Sequence, residues 1–341
     1  MTATQMLVMA VVAVVVVMTV NLGRFMYDFK KKVIAKLVGF LSREEKCFLD
    51  KAIHQNSSEL DTLYSEPVHY FYWENQIDSW GVMPSPVRPS HEEIESYARL
   101  LENKNTGNAL ILGSTPELRD LLAKRPSANV HLADFTCRMP LAMLKHTQNV
   151  DAEKEIWVKA NWLNLPFPEK FFDVILGDLA LQQFTPELEG TFLQKISSLL
   201  KPEGIFILRA HFLEKAMQSK DAYSIMQDVL SRNLTNYGKF ISLKLNILWL
   251  FADPENRNLH RLVSAEHFDR FVKSRDIEDP IVKRVRDALI ADKDSYRSWS
   301  PPTEEVLMKK ISSVFTINEI LTAGDYEESR VYPIFSLTPR N

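Results

Sequence analysis

The sequence predicts an α/β fold that is built on a mainly parallel β-sheet. Between residues 109 and 212, short apolar runs alternate with segments of helical character, and this alternation is typical of βαβ units. A polar or acidic residue follows the apolar runs at their carboxyl ends. Because parallel sheets bind ligands beyond the carboxyl ends of their strands, these residues are the first candidates for a functional site.

Each element of this fold has its own signal in the sequence. Ser90 is typical of the cap of a helix that ends near Glu102, and Thr303–Ser312 is typical of an amphipathic helix. The turn-rich segment AGDYEES separates the last two strands and indicates a hairpin. The predicted strands are Ala109–Leu112, Val130–Ala133, Ile156–Lys159, Phe172–Leu176, a run within Leu199–Phe212, Phe315–Leu321 and Arg330–Leu337.

Composition and charge are those of a globular protein. The chain has 341 residues, of which 45% are hydrophobic and 25% are charged, and both fractions are ordinary. Its net charge of −3 gives no broad electrostatic reason to bind nucleic acid, so no nucleic-acid partner is expected. The two cysteines, Cys47 and Cys137, fit a reducing compartment and form no metal-binding pattern, so no metal is expected.

The N-terminus predicts a membrane anchor over residues 1–23. No charged side chain occurs from Met1 to Gly23, and Met6–Leu22 is an apolar run of about 17 residues, at the short end of a bilayer span. Basic residues follow the run rather than precede it, which distinguishes it from a signal peptide. The positive-inside rule then predicts a single-pass membrane protein with the rest of the chain in the cytoplasm. The alternative is an N-terminal extension, with translation starting at Met18 or Met26.

Residues 24–104 are expected to form a basic juxtamembrane stretch and a helical cap. Aromatic side chains, including Tyr70, Trp73 and Trp80, are concentrated in Pro67–Gly81. They are either ordinary core or a flap over a flat ligand such as an adenine ring. A proline-rich loop with extended bias separates them from the helix that Ser90 caps.

Four consecutive strand ends carry groups that suit a nucleoside. Gly113 and Ser114 open a helix, where free backbone N–H groups favour an anion. Asp134 follows the second strand at the distance where a carboxylate holds a ribose diol. Asn161 and Trp162 follow the third strand and could bond to and stack on a base, and Asp178 follows the fourth. Each is an ordinary loop residue by itself, but together they predict a nucleoside site.

The chain resembles the class I S-adenosylmethionine-dependent methyltransferases. The resemblance is carried by LNLPFPEKFFDVILGDLALQQF and, after it, LLKPEGIFIL. It covers about Trp73–Phe212 and resumes at Glu304–Leu337. The family usually has an acid and several glycines around the first strand end, whereas this chain has Ile111, Gly113, Thr115 and Glu117 there. In this departure the chain resembles a variant subgroup of the family, in which a segment of the form W…W-x-x-P…RPS precedes LG-x-TPEL. The residues that match this form are Trp73, Trp80, Pro84 and Arg88–Ser90.

The resemblance implies a Rossmann-like seven-stranded sheet with an antiparallel last hairpin, and S-adenosyl-L-methionine as cofactor. The roles it implies follow the strand ends. Gly113 and Ser114 line the methionine end of the cofactor, and Asp134 accepts hydrogen bonds from its ribose hydroxyls. Asn161 stands where an aspartate usually bonds to the adenine amino group, and Trp162 flanks the adenine ring. Asp178 and Leu179 face the sulfonium and the substrate. Gln182 and Gln183 stand where small-molecule methyltransferases often carry histidines.

Residues 214–302 depart from a minimal fold and are expected to form a helical lid. The stretch leaves after strand five and therefore hangs over the ligand-binding edge, between core segments 105–213 and 303–341. Its apolar run Phe240–Ala252 is too short to span a bilayer and predicts a buried helix. The membrane anchor together with an apolar lid favours a small or lipidic methyl acceptor, and the expected substrate contacts are Tyr70, Trp73, Gln182, Gln183 and Tyr237.

His211, at the end of strand five, is the best-placed candidate for a general base. His260, Tyr223 and Tyr237 on the lid are others, and a lone histidine near a strand end is often structural. Two other functions stay open. A degenerate methyltransferase fold could act as a membrane-tethered binding or scaffold protein. A nicotinamide-dependent dehydrogenase would need G-x-G-x-x-G after the first strand, which this sequence lacks.

Overall fold

The computed structural model describes residues 77–135, 138–214, 219–295 and 298–340. The predicted anchor, 1–23, and the juxtamembrane stretch up to residue 76 lie outside the described residues, as do Tyr70 and Trp73. Within the described ranges, no helix combines the length and the apolar character that crossing a bilayer requires.

Seven strands form one mixed sheet. They are β1 (Asn108–Leu112), β2 (Asn129–Asp134), β3 (Ile156–Lys159), β4 (Phe172–Asp178), β5 (Leu200–Arg209), β6 (Phe315–Leu321) and β7 (Ile334–Pro339). The order across the sheet is β3-β2-β1-β4-β5-β7-β6. Strands β1 to β5 pair in parallel, and β7 pairs antiparallel with both β5 and β6. The predicted Rossmann-like sheet with an antiparallel closing hairpin is confirmed.

The start of β7 differs from the predicted start at Arg330. Ser329–Val331 forms a 3-10 turn, in which the Tyr332 N–H donates to the Ser329 carbonyl instead of to a neighbouring strand. Pro333 follows and has no N–H for a ladder bond. The strand therefore begins at Ile334 and extends to Pro339.

The sheet is covered on both faces because its buried strands alternate their side chains. In β1, Ala109 and Ile111 pack with the helices before and after the strand, whereas Leu110 and Leu112 pack on the opposite face. The first face is covered by α1 (His91–Leu100) and α2 (Pro116–Ala123). The second is covered by α4 (Glu189–Leu199), which follows the short α3 (Arg138–Met143) in the chain.

Between β5 and α9 (Glu304–Ser312) the chain forms four helices in the described ranges. They are α5 (Ala222–Ser231), α6 (Asn236–Leu250), α7 (Arg261–Ser274) and α8 (Pro280–Ala291). Asp221, Thr235 and Asp279 cap the first, second and fourth of them through their side chains. Their buried side chains belong to the same apolar cluster as α4 and the second sheet face. The predicted buried helix at Phe240–Ala252 corresponds to most of α6, which begins at Asn236 and ends at Leu250.

The segment that leads into α1 folds over the first strand ends. It begins with a 3-10 helix, Ile77–Val82, and its Trp80 and Met83 are buried against Met139 and Met143 of α3. Tyr237, at the start of α6, packs against the same cluster. We call residues 77–90 the cap segment. It joins the strand ends to α6, the second of the four later helices, through one small apolar cluster.

Candidate functional site

A cleft opens at the carboxyl ends of β1 to β4. The space between its walls, part of which is open solvent, is about 900 Å³. The cap segment and α3 form its other walls. The lining residues are Trp80, Val87, Leu112, Gly113, Ser114, Thr115, Asp134, Phe135, Met139, Met143, Ala160, Trp162, Asp178, Leu179 and Gln183.

The turn after β1 brings a backbone surface close to an indole. Gly113 has a φ of +92°, a conformation that side-chain-bearing residues rarely adopt. A Cβ added there would meet Trp162 Cζ2 at 3.6 Å. The Trp162 Nε1–H donates to the Ala133 carbonyl at 2.7 Å, which fixes the ring below the turn. Because Gly113 has no side chain, the backbone of the turn and the Trp162 ring together form a flat, open surface at the ends of β1 and β3. We call this surface the cradle at Gly113.

Asp134 is held at the end of β2. It is 4% exposed, and the Ser114 hydroxyl donates to its Oδ2 at 2.7 Å. Thr115 occupies the N-cap position of α2 without a side-chain cap bond, whereas the Ser114 hydroxyl is bonded to the carboxylate. Ser114 thus orients Asp134 toward the cleft.

Asp178, at the end of β4, is bonded to a fully buried arginine. Arg209 Nε donates to Asp178 Oδ1 at 2.6 Å, and the same guanidinium donates to Glu93 Oε2 and to the Pro86 carbonyl. Arg209 and Glu93 are both 0% exposed. Glu93 is also the acid of the capping box with Ser90 at the start of α1. One glutamate therefore caps a helix and anchors the arginine that holds Asp178.

Two tyrosines complete this buried polar network. The Tyr97 hydroxyl donates to the Gly177 carbonyl at 2.8 Å and accepts from the Arg209 N–H at 3.0 Å. The Tyr326 hydroxyl donates to Glu93 Oε1 at 2.6 Å. The network ties α1, β4, β5 and the loop before β7 together immediately beside the cleft.

Burial raises the pKa of the Asp178 carboxyl to about 6, with Arg209 opposing and Glu93 reinforcing that rise. The next residue, Leu179, has a φ of +50° although it is not glycine, and strained backbone of this kind is concentrated at functional sites. Its N–H donates to the Arg209 carbonyl at 3.0 Å. The end of β4 is therefore a constrained turn that presents a titratable carboxyl to the cleft.

Residues that carry the resemblance to the variant subgroup contact one another around the turn after β1. Arg88 forms an ion pair with Glu117 Oε1 at 2.7 Å, and Trp80 Nε1 donates to the same oxygen at 3.2 Å. Arg88 also donates to the Trp80 carbonyl. The tryptophan and arginine of the cap segment thus hold the glutamate that stands in place of a glycine, which gives a physical reason for these residues to occur together.

Asn161 lies beside the cleft but does not line it. Its Oδ1 accepts from the Leu163 N–H at 2.9 Å and caps the 3-10 helix Trp162–Asn164. Its Nδ2 is buried and has no hydrogen-bond partner. Because the cap bond fixes which atom is the oxygen, Asn161 presents a donor where an aspartate would present an acceptor.

His211 packs against Trp249 of α6 and does not line the cleft. Its ring stacks on Tyr332 with centroids 4.1 Å apart and meets Trp249 edge-on. Burial, reinforced by the Arg209 charge, lowers its pKa to about 3. This corrects its predicted role as general base, because a buried imidazole with so low a pKa is a weak proton acceptor and the cleft is lined by other residues.

The other sequence candidates divide between the cleft and its surroundings. Gly113, Ser114, Asp134, Trp162, Asp178, Leu179 and Gln183 line the cleft. Gln182 lies beside it and donates to the His211 carbonyl. Tyr237 contacts the cap segment cluster rather than the cleft. Tyr70 and Trp73 lie outside the described residues.

Sequence reasoning missed the apolar wall and the buried ion pairs. Val87, Phe135, Met139 and Met143 line the cleft without any motif to mark them. Arg209 did leave a signal, since a charged residue within the apolar run IFILRA needs a buried partner. The sequence did not show that the partners are Glu93 and Asp178, because they come from distant segments.

Comparison with known proteins supports the methyltransferase prediction. Residues 113–208 match a family model described as a methyltransferase domain. No curated protein matches the chain. The matched residues run from the turn after β1 to the end of β5, so they include most of the strand ends that form the cleft.

Solved structures resemble the chain only distantly. A 1,6-didemethyltoxoflavin-N1-methyltransferase from Burkholderia thailandensis is 13% identical, with a TM-score of 0.45, over 80% of this chain and 86% of that chain. The N-methyltransferase NodS from Bradyrhizobium japonicum is 12% identical, with a TM-score of 0.44, over 80% and 98%. A Rhodobacter sphaeroides protein assigned provisionally to the zinc-dependent alcohol dehydrogenases is 16% identical, with a TM-score of 0.49, over 79% and 97%. Likenesses this weak carry no argument about activity.

The family match and the sheet order agree with each other. The segment that matches the methyltransferase domain supplies β4, most of β5 and the cleft-lining turns after β1, in a sheet whose five parallel strands are closed by an antiparallel β7.

Proposed function

We propose that the chain binds S-adenosylmethionine in this cleft and transfers its methyl group to a small or lipidic acceptor. The observation that carries the proposal is the charge and shape of the cleft. Carboxylates stand at the ends of β2 and β4, and the glycine turn after β1 lies between them. Among the described lining residues there is no lysine or arginine. Such a lining suits a ligand with a diol and a positive charge.

The residues present fit the donor. Asp134, oriented by Ser114, is placed to accept from ribose hydroxyls, and charge-assisted bonds of this kind are strong. The cradle at Gly113, which a Cβ would fill, admits a close ligand backbone beside Trp162. The apolar wall of Phe135, Met139 and Met143 supplies a surface for a flat ring.

Methyl transfer requires mainly that the protein align the acceptor with the methyl group. When bound, S-adenosylmethionine supplies an activated methyl group, and its transfer depends mainly on holding the acceptor in line. The strained turn at Asp178 and Leu179, with Gln183, lines the cleft beyond the end of β4, which is separated from β2 and Asp134 by β1. Asp178 is the titratable group there, so it is the candidate proton acceptor if the methyl acceptor must lose a proton.

In this proposal, the lid and the cap segment determine which acceptor binds. Tyr237 of α6 packs against the apolar cluster that contains Trp80 of the cap segment, and Trp80 lines the cleft. An apolar wall of this kind favours an acceptor with an apolar body, whether a small aromatic compound or a lipid.

Calorimetry on the purified full-length chain tests the proposal. We expect S-adenosylmethionine and S-adenosylhomocysteine to bind at one site, with micromolar dissociation constants or tighter. The Gly113→Val variant, which strains the turn because Gly113 has a φ of +92°, is the matched negative control. If neither ligand binds to the folded protein at millimolar concentration, the proposed methyltransferase activity is refuted.

One observation favours a second function, that of a binding or scaffold protein. Thr115 and Glu117 occupy positions where the family usually has glycines, and Glu117 is held by Arg88 and Trp80. If this ion pair fills the place of the methionine end, the fold would keep its shape without binding the donor. The calorimetric experiment separates the two functions, because the scaffold binds neither ligand.

We also propose that the chain is tethered to a membrane through the apolar run Met6–Leu22, with the methyltransferase domain in the cytoplasm. The expected result is that the full-length chain sediments with membranes and resists a carbonate wash. A chain without residues 1–23 should be released, or should stay bound only at low salt through Lys30–Lys36. Recovery of the full-length chain wholly in the soluble fraction would contradict the anchor.

A further inference from the structure

We infer that Asp178 is the specificity-determining charge by which the cleft prefers a sulfonium to a thioether, and that Arg209 and Glu93 are positioning residues that hold this charge. The inference rests on the proposed donor site. It goes further by assigning the discrimination between the methylated donor and its demethylated product to one carboxylate and to two residues that do not line the cleft.

The first step is the charge of the buried network. Two carboxylates, Asp178 and Glu93, share one guanidinium, that of Arg209. The Asp178 side chain is 4% exposed, and the other two are fully buried. Their remaining polar partners in the described chain are neutral: the Tyr326 hydroxyl, the Ser90 N–H and the Pro86 carbonyl. With all three groups ionised, the network therefore carries one uncompensated negative charge.

The second step is where that charge faces. Asp178 lines the cleft, whereas Arg209 and Glu93 do not. Strands β2 and β4 lie on either side of β1, so about two strand spacings of roughly 4.8 Å separate the ends that carry Asp134 and Asp178. In the proposed donor site, a nucleoside held through its ribose at Asp134 would extend its 5′ substituent past Gly113 toward Asp178. The uncompensated charge is thus presented to the part of the ligand that changes from cation to neutral on methyl transfer.

The third step is the set of charged and titratable groups around Asp178. Arg209 faces it from β5, Glu93 and Tyr97 from α1, Tyr326 from the loop before β7, and Glu117 from α2. Arg209 is the cation among them, and Glu117 is itself paired with Arg88. An additional cation at the cleft would therefore be stabilised by Asp178 without competing with another positive side chain on the cleft wall.

The fourth step is the sign of the pH dependence. Burial raises the pKa of Asp178 to about 6, so the carboxyl is ionised at neutral pH and protonated in mild acid. A bound sulfonium favours the ionised form and lowers this pKa, whereas a bound thioether lacks the charge. By linkage, the preference for the sulfonium is fully present above pH 6 and declines as the pH falls through that value.

Binding of three probes to the full-length chain tests the inference. The probes are S-adenosylmethionine, S-adenosylhomocysteine, and sinefungin, in which an ammonium-bearing carbon replaces the methylated sulfur. The measured quantity is the affinity of each cationic probe divided by that of the thioether, at about pH 7 and about pH 5. If the cation lowers the Asp178 pKa by one unit, this ratio should fall about fivefold between the two pH values.

Variants then separate the roles. Asp178→Asn keeps an acceptor for Arg209 and should lower the ratio at pH 7 by about tenfold and remove its pH dependence. Glu93→Gln should move the midpoint of the pH dependence to lower pH, because Glu93 contributes to the raised pKa of Asp178. Glu189→Gln, which alters a buried ion pair with Arg257 away from the cleft, is the matched control and should leave the ratio and its midpoint unchanged.

The readout is a ratio within one variant, so a loss of folded protein cancels from it. The inference would be overturned if all three probes bind but the ratio of cation to thioether affinity changes neither with pH nor in Asp178→Asn. That result would leave the proposed donor site intact. A shift of midpoint in Glu189→Gln equal to that in Glu93→Gln would also overturn it, because the effect would then be structural. Absence of binding by every probe would overturn the proposed function as well.

Discussion

Replacement of Arg209 by methionine is expected to lower the free energy of unfolding by about 3–5 kcal/mol. Methionine has a similar length but leaves Asp178, Glu93 and the Pro86 carbonyl without the guanidinium that bonds to all three. Removing one partner of a buried ion pair strands the other in a medium of low polarity. Urea denaturation followed by circular dichroism measures the change.

The pH dependence of this variant gives a second check. Arg209 opposes the rise in the Asp178 pKa, so its loss should raise that pKa further above the unfolded value. A group with a raised folded pKa is stabilising in its protonated form, and the destabilisation should therefore be smaller at pH 5 than at pH 8. Arg99→Met, which breaks an exposed pair with Glu319, is the control and should cost less than about 1 kcal/mol. Equal losses in the two variants would contradict the buried network.

Replacement of Asp134 by alanine is expected to weaken S-adenosylhomocysteine binding by about 1–3 kcal/mol, which is roughly 5-fold to 150-fold in the dissociation constant. The carboxylate is the group at the end of β2 that faces the cleft and accepts from Ser114. Without it, the ribose hydroxyls would enter a largely apolar cleft with no charged acceptor. Calorimetry at constant pH measures the loss.

Asp173→Ala provides the matched control for that experiment. Asp173 is also a buried sheet carboxylate, but it lies near the opposite end of β4 and pairs with Lys201 at 2.8 Å. This variant should be less stable yet bind the ligand as the unsubstituted chain does. Undiminished binding by Asp134→Ala, or an equal loss in both variants, would show that Asp134 does not contact the ligand.

The fold was predictable because its signals are local. The apolar runs of β1 to β5 are interrupted by turn residues and caps, and the position of each strand follows from a few neighbouring residues. The error at the start of β7 has the same origin. Arg330–Tyr332 has the composition of a strand, but the 3-10 turn around Ser329 is set by its surroundings and by Pro333.

The site was predictable only where it follows a strand end. Gly113, Asp134 and Asp178 are fixed in space once their strands are placed, so their meeting follows from the topology alone. The support behind them was not predictable. Ser90 was predicted as the cap of α1, but nothing in the sequence near Glu93 indicates an ion pair with a residue 116 positions away. His211 failed as a catalytic candidate for the converse reason, since proximity to a strand end does not reveal that Tyr332 and Trp249 enclose its ring.

The position of β7 has a consequence for how the protein is made. This strand lies between β5 and β6 and follows both in the chain. During synthesis, β5 therefore keeps one open hydrogen-bonding edge while more than a hundred further residues are added, and β6 has no partner until β7 arrives. Exposed strand edges recruit other chains. Nascent molecules of this protein should thus depend on chaperones until the ribosome has released residues 334–339, and stalling shortly before that point should favour aggregation.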